Sequence, residues 1–363
     1  MHLFAGLLVG ALIIFFSVTG ALLAYERPIL KAVGRSAWRV SSGGGMPVPL
    51  EELVDHATAS LPAPVTAITI HRDAHLPVEL ETADHQLYFA DAYSGKVQGA
   101  IAPRLRGFFN QVTSLHRWFG LSIAHHTTAI AVKGVVVLLL LFQMLSGAWL
   151  WLPHRWNTHA LRTSVTFRVS GPSRARNYNW HKVTGFWAAL PLGIVVLTGI
   201  IMAYPWANAM LFRLAGSPVP MREGNRGQRG HGTSVPRRLD QAFQQATGTA
   251  TDWQTATLRL PAAPSGLNFS VDSSDGGRPD KREQVIVDGK TLEVKHREPF
   301  AALSRGQRWR SWIRFTHTGE AFGWWGETLA LLAALAAIVL SVTGYALALN
   351  RLRRSRRPRV LVA

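Results

Sequence analysis

The sequence predicts an α-helical membrane protein: four transmembrane helices in an internal duplication, with a small α/β domain in each of the two long segments between spans. Three observations predict it. Four apolar stretches, at residues 3–25, 129–152, 183–206 and 328–349, each have about the ~20 residues that cross ~30 Å of hydrocarbon as a helix. The first and third stretches carry one motif. His2, Gly6, Thr19-Gly20 and Ala24-Tyr25 recur as His181, Gly185, Thr198-Gly199 and Ala203-Tyr204, each displaced by the same 179 residues. The long segments between spans carry the period-two alternation of strands.

Taken in order, helix one occupies 1–25 and a first extramembrane domain 26–115. Helix two follows at 116–152, a basic loop at 153–180 and helix three at 181–206. A second domain at 207–313, helix four at 314–350 and a basic tail at 351–363 complete the chain. Residues 3–25 lack the basic start and small-residue cleavage site of a signal peptide, and their internal copy cannot be one, so they read as a retained helix.

The second and fourth helices also match. Ser146-Gly147 and Thr343-Gly344 stand near one end, His116 and His317 near the other, with a spacing that differs by four residues. In the first domain, residues 50–57 have helical spacing after Pro47 and Pro49. Residues 67–71, 78–82 and 87–91 alternate as strands, and a turn at Gly95 precedes Val97. The second domain repeats the plan: a helix at 238–247, strands at 255–260, 267–271 and 283–287, a turn at Asp288-Gly289-Lys290 and a strand at 292–295. Residues 216–232 are rich in Gly, Pro and Arg and read as a linker.

The formal charge is +18. Much of it lies in two acid-free basic segments, 153–182 and the tail after Asn350, which the positive-inside rule places in the cytoplasm. Four spans then put both termini in the cytoplasm and both domains on the other side, the periplasm of a bacterial inner membrane. Because the charge flanks membrane helices, it implies membrane lipid as a partner and no nucleic acid. The absence of cysteine excludes Cys-ligated iron–sulfur clusters, Cys-attached haem, disulfides and thiol nucleophiles.

A duplicated helix brings two equivalent histidines to one membrane depth, and two imidazoles at one depth can hold one metal between them. Polar residues at membrane depth are costly and mark function. Bis-imidazole ligation suits an electron-transferring haem. His2 and His181 form the first candidate pair of axial ligands. His317 forms the second, with either His116 or His126. On one continuous helix, His116 and His125 would point to opposite faces, while His116 and His126 would lie within about 80° of each other. Two b-type haems are the expectation, with all four iron ligands drawn from His2, His181, His317 and His116 or His126. Gly6 and Gly185, one turn beyond the first pair, would leave room for a porphyrin face or serve as helix-packing glycines.

The remaining histidines read as surface groups: His154 and His159 as lipid-headgroup contacts, and His56, His71, His75, His85, His231 and His296 as solvated. Trp309, Trp312, Trp324 and Trp325 gather in sequence around His317, as an interfacial aromatic belt or a platform for a cofactor. Lys133 suits either snorkelling or a haem propionate. No Ser-His-Asp grouping, phosphate-binding loop or dinucleotide fingerprint stands in the chain, and no residue is assigned a catalytic role. Electrons would arrive from a quinol or a cytoplasmic reductase.

The run Tyr88-Phe89-Ala90-Asp91-Ala92-Tyr93-Ser94-Gly95-Lys96-Val97 is similar to the closing strand and turn of a PepSY domain, and Gln284-Val285-Ile286-Val287-Asp288-Gly289-Lys290 is its weaker partner. Leu115-His116-Arg117-Trp118-Phe119-Gly120 and Phe315-Thr316-His317-Thr318-Gly319-Glu320 are similar to the histidine motifs that open the second and fourth helices of the PepSY-associated transmembrane family. The resemblance covers nearly the whole chain. It is strongest to the inner-membrane siderophore reductases within that family. It implies two PepSY-like periplasmic domains, haem b, and periplasmic reduction of a ferric, ferrioxamine-like siderophore with release of Fe(II). The substrate rests on the resemblance alone. Two rival readings accompany it: a non-enzymatic PepSY-domain binding or regulatory protein, and a siderophore or metal permease. Paired histidines without cysteines favour the haem reading, and no broken helix or midplane acid marks a transport site.

Overall fold

A computed structural model of the chain describes residues 1–34, 47–100, 102–152, 157–220, 237–260 and 266–355. His154, His231, most of the predicted linker and the end of the basic tail lie outside the described residues. The chain divides into two compact units. One comprises Met1–Tyr25, Gln111–Met210 and Thr316–Ala363, the other Glu26–Asn110 and Leu211–Phe315.

The first unit is built on four long apolar helices: α1 (His2–Leu23), α5 (His126–Trp151), α7 (Ser173–Ala203) and α11 (Gly323–Ser355). Each is long and apolar enough to cross a membrane. The protein is therefore a membrane protein. α1 and α7 each pack against both α5 and α11, so α1 and α7 stand at opposite corners. Val9, Ile13, Val136, Leu192, Val196, Ala333 and Ala337 fill the centre. Outward-facing Leu8, Leu145, Leu190, Leu332 and Val342 are exposed, as helices in contact with lipid require.

The four-residue difference between the halves lies between the histidine and the start of the long helix that follows it. A short helix α4 (Pro103–Trp118) ends before α5 begins, and α10 (Arg305–Thr318) ends before α11. Between α4 and α5 the chain turns at Phe119 and Gly120, both at positive φ, then makes a single 3-10 turn over Ile123–His125. Between α10 and α11 the same role falls to Gly319 and a 3-10 turn over Glu320–Phe322. The first connector has seven residues against four, and α4 runs one residue further past His116 than α10 does past His317; His125 closes the first connector and His126 opens α5. This corrects the rotation argument above: residues 116 and 126 do not share one helix, so spacing by 100° steps does not relate their faces.

The second unit is one antiparallel sheet in the order β4-β3-β2-β1-β5-β6-β7-β8. Its strands are β1 (Val65–His71), β2 (Val78–Thr82), β3 (Leu87–Ala90) and β4 (Val97–Gln98) from the first segment. The second segment adds β5 (Thr255–Arg259), β6 (Leu267–Asp272), β7 (Arg282–Val287) and β8 (Val294–Pro299). The two halves join through β1 and β5, with Ile68 opposite Leu258 and Thr69 opposite Thr257. The sequence predicts two separate domains; the structure makes them halves of one sheet. The reason is the open edge that each four-stranded half would leave at β1 or β5, with unpaired backbone groups.

One face of the sheet packs on α3 (Leu50–Ser60) and α9 (Leu239–Thr247). Leu53, Val54 and Ala57 from α3 and Leu239, Phe243 and Ala246 from α9 bury against Ile68, Leu80, Leu258, Phe269, Val285 and Val287. Apart from Ile68, whose neighbour Ala67 is also buried, these strand residues alternate with exposed or half-buried neighbours, the period-two pattern that made the strands readable. The matching turns close with matching aspartates. Asp91 accepts from the Tyr93 and Ser94 amides at 2.8 and 3.2 Å, and Asp288 accepts from the Lys290 and Thr291 amides at 2.7 and 2.9 Å. The Lys295 ammonium, 2.6 Å from Asp288, and these two amides hold the Asp288 carboxyl well below the usual carboxylate range.

Four shorter helices complete the described residues apart from single 3-10 turns: α2 (Glu26–Gly34), α6 (Thr158–Val165), α8 (Pro205–Leu214) and the separate α10. None was read from sequence as an independent helix.

Candidate functional site

Four histidines in the first unit share one arrangement. Each sends its ring to a long helix of its own half, His2 and His181 to the second and His116 and His317 to the first, onto a hydroxyl residue followed by glycine. His2 Nδ1 lies 2.8 Å from the Ser146 hydroxyl, and the position of a Gly147 Cβ would be 3.4 Å from its Cε1. His116 Nδ1 lies 2.8 Å from Thr19, beside Gly20. His181 Nδ1 lies 2.9 Å from Thr343, beside Gly344. His317 Nδ1 lies 2.9 Å from Thr198, beside Gly199. Within each half the exchange is reciprocal: the histidine at one end of the first helix meets the second, and the histidine before the second helix meets the first.

The hydroxyls are spaced for this task. A Ser or Thr inside a helix hydrogen-bonds back to the carbonyl one turn earlier. Ser146 donates to Phe142 at 2.7 Å, Thr19 to Phe15 at 2.9 Å, Thr198 to Ile194 at 2.6 Å and Thr343 to Val339 at 2.6 Å. The following glycine leaves the side of the helix open, so the imidazole edge reaches the hydroxyl. A Cβ there would already touch the ring at 3.4–3.6 Å, so a larger side chain would press on it.

The reciprocal exchange brings His2 and His181 together from opposite corners of the bundle. Their ring centres are 6.3 Å apart and their planes stand at 85°. His2 is held further by its backbone carbonyl, which accepts from the Gln143 amide at 2.8 Å. His116 and His317 are seated alike in the two halves, His116 on Thr19 of α1 and His317 on Thr198 of α7.

His126 is used differently. Its ring stacks on Trp118 at 4.0 Å and 7° between planes. Lys133 stands over the same indole at 5.5 Å and Arg117 at 5.2 Å. His125 Nδ1 lies 3.1 Å from Ser122 in the connector. Of the three histidines open from sequence, His116 holds the position equivalent to His317. Of the two readings of Gly6 and Gly185, the contacts match helix packing: Gly6 faces the Gln143 side chain and Gly185 faces Leu340.

The remaining polar residues are accounted for in place. His71 meets Glu79 at 3.2 Å and His85 meets Glu81 at 3.3 Å, so they do not converge with His75. His159 is exposed on α6. Trp324 and Trp325 are exposed and stack on each other at 4.0 Å. Trp312 meets Phe300 edge-on. Among the described residues no group of three His, Asp or Glu is arranged to hold a metal ion.

The family model for the PepSY-associated TM region matches residues 1–351. The chain belongs to this family. No curated protein matches it significantly. The four histidine–hydroxyl pairs lie inside the matched region.

The ring spacing of the first pair is compatible with a haem. Two metal–imidazole bonds of about 2.0 Å in line, with about 1.1 Å from each nitrogen to its ring centre, span about 6.2 Å. The observed 6.3 Å fits one iron between His2 and His181. Two imidazoles are also the number such a site needs: a porphyrin brings four equatorial nitrogens, whereas a bare zinc ion takes three or four protein donors.

Proposed function

We propose that the protein is a haem-b-bearing reductase of the bacterial inner membrane that passes electrons to a ferric siderophore in the periplasm and releases Fe(II). The observation that carries the reading is the 6.3 Å separation of His2 and His181 inside a membrane bundle. His116 and His317 are the proposed ligands of a second haem. Haem, when bound, supplies one-electron chemistry. The chain supplies the axial imidazoles, the apolar helices that keep water from them, and the hydroxyls that orient them. Val9, Ile13, Val196 and Ala337 form a dry interior of low dielectric.

The proposed direction runs from the cytoplasmic pair, His2 and His181, to the periplasmic pair, His116 and His317. A quinol oxidised to quinone gives up two electrons and two protons and so serves two ferric ions, each taking one electron. Fe(II) is a softer ion of lower charge than Fe(III), and hard oxygen chelators hold it less tightly. The siderophore assignment rests on the resemblance of the chain to siderophore reductases such as FoxB, and the orientation on the acid-free basic segments.

The deciding experiment is an optical spectrum of the purified chain in detergent. A Soret band, with α and β bands sharpening on dithionite and about two haems per chain extractable into acid acetone, is the expected result. A haem-replete preparation with no Soret band refutes the reading. Reporter fusions at Gly171 and the C-terminus should read cytoplasmic, and fusions at Ser94 and Gly277 periplasmic. A periplasmic signal at Gly171 reverses the electron path.

A further inference from the structure

We infer that Ser146, Thr343, Thr19 and Thr198 are positioning residues that lock His2, His181, His116 and His317 in the Nδ1–H tautomer, leaving each Nε2 lone pair free for a metal. The inference deepens the haem reading and rests on it for the identity of the metal group. The lock itself follows from counting protons.

A hydroxyl has one proton and two lone pairs. In all four residues that proton is committed to the carbonyl one turn back, at 2.6–2.9 Å. The oxygen can then only accept from the imidazole nitrogen 2.8–2.9 Å away. That nitrogen is Nδ1 in every case, so Nδ1 carries the proton. His317 gives an independent check. Its Nδ1 also lies 3.1 Å from the Val195 carbonyl, an obligate acceptor. Val195 stands three residues before Thr198. A neutral imidazole protonated at Nδ1 has its lone pair on Nε2, the atom on the far side of the ring. In metal sites the outer partner of a ligating histidine sets its tautomer and raises its basicity.

The four locks are not equal. Among the described residues Ser146 is the hydrogen-bond acceptor of the His2 ring, whereas His317 keeps the Val195 carbonyl if the Thr198 hydroxyl is lost. Ser146 is therefore more sensitive than Thr198.

The test uses the full chain, ¹⁵N-labelled at histidine, in lipid nanodiscs. Imidazole ¹⁵N shifts of haem-free protein report the tautomer directly, with the His2 signals assigned by their loss in His2→Ala. His2 should be the Nδ1–H form in the wild type. It should become mostly Nε2–H, the form favoured by free imidazole side chains, in Ser146→Ala, and return to Nδ1–H in Ser146→Thr. In haem-loaded protein, Ser146→Ala should speed haem loss from the His2 site about 10- to 100-fold. It should also raise that haem's midpoint potential, because a less basic ligand favours the ferrous state, and Ser146→Thr should restore both. Thr198→Val should change its haem less, since Val195 remains. An Nε2–H signal for wild-type His2, or a tautomer unchanged in Ser146→Ala, overturns the lock. Failure of the protein to take up haem overturns the haem reading instead, and the haem-free measurement still decides the lock.

Discussion

The Asp240 carboxylate accepts a hydrogen bond from the Leu50 amide at 2.9 Å, 190 residues away in the chain. Glu51 returns the contact, accepting from the Leu239 amide at 2.8 Å. Each helix thus satisfies the orphan first-turn amide of the other, and each places a negative charge at its neighbour's positive end. The pairing ties the two halves of the sheet unit together on their helical layer, as β1 and β5 do within the sheet.

Asp240→Ala should destabilise this junction by about 1 kcal/mol, the usual cost of losing a cap. Hydrogen exchange at Leu50 and the residues following it should accelerate, with strand β7 little changed. Burial, and after it Glu51, pushes the Asp240 carboxyl up from its usual 3.8. A carboxyl raised in the folded state contributes stability that is full below 3.8 and is lost as the pH rises through the folded value. The junction should therefore protect its amides better near pH 4 than near neutrality. Asp240→Asn should flatten that dependence. Protection that grows with pH in the wild type and is unchanged in Asp240→Asn would contradict this account.

The strands were legible because a half-buried sheet imposes a period of two, and Val78–Thr82 and Leu87–Ala90 were bounded almost to the residue. The membrane helices were legible because hydrocarbon thickness sets their length. Joining the two halves through Ile68 and Leu258 was not legible, since edge pairing leaves no local signature. The candidate site was legible in part. His2 and His181 stood out by their repeat. Thr19-Gly20, Ser146-Gly147, Thr198-Gly199 and Thr343-Gly344 were visible as repeat markers, but not as imidazole partners. A hydroxyl near one end of a helix and a histidine on another become partners only once the packing is known. The signal was the fourfold recurrence of a hydroxyl followed by glycine. His116 was indistinguishable from His126 because the break at Phe119 and Gly120 requires positive φ at a phenylalanine, which sequence does not announce.

His2→Ala and His181→Ala should remove the same haem. The two rings are separated by one iron's span, and a bis-imidazole site fails when either ligand goes. Because the rings stand at 85°, the low-spin ferric signal of that haem should be of the strongly anisotropic type given by perpendicular axial ligands. Electron paramagnetic resonance of the two variants checks both points. Loss of different spectral components would assign the two histidines to separate irons.

Gly147→Val should displace the His2 ring. A Cβ at Gly147 already reaches 3.4 Å from His2 Cε1, and the branched methyls add bulk that a packed interior accepts at about 1–3 kcal/mol. The expected result is loss of the inner haem with the outer one retained, read from the haem-to-protein ratio. Gly185→Ala is the control: a Cβ there meets only Leu340 at 3.7 Å, an ordinary contact, and haem content should stay at the wild-type value. Equal haem loss in the two variants would mean that helix packing, and not the imidazole seat, is what the glycines serve.

Electron delivery should depend on His317 and not on His159. His317 is bonded to Thr198 and Val195 inside the membrane unit, whereas His159 is exposed on α6. Dithionite-reduced protein mixed with a ferric hydroxamate siderophore should reoxidise, with Fe(II) appearing in a ferrozine trap. His317→Ala should slow that reaction at least about 10-fold, as loss of a ligand or its outer support does in metal sites, and should remove the outer haem. His159→Ala should match the wild type. Helical content by circular dichroism should be unchanged in both, since the four long helices bury their own apolar seams. Wild-type haem content and kinetics in His317→Ala would exclude His317 as ligand and exit. Reduced wild-type protein that is inert to every ferric siderophore would remove the substrate assignment while leaving the haem sites to serve another acceptor.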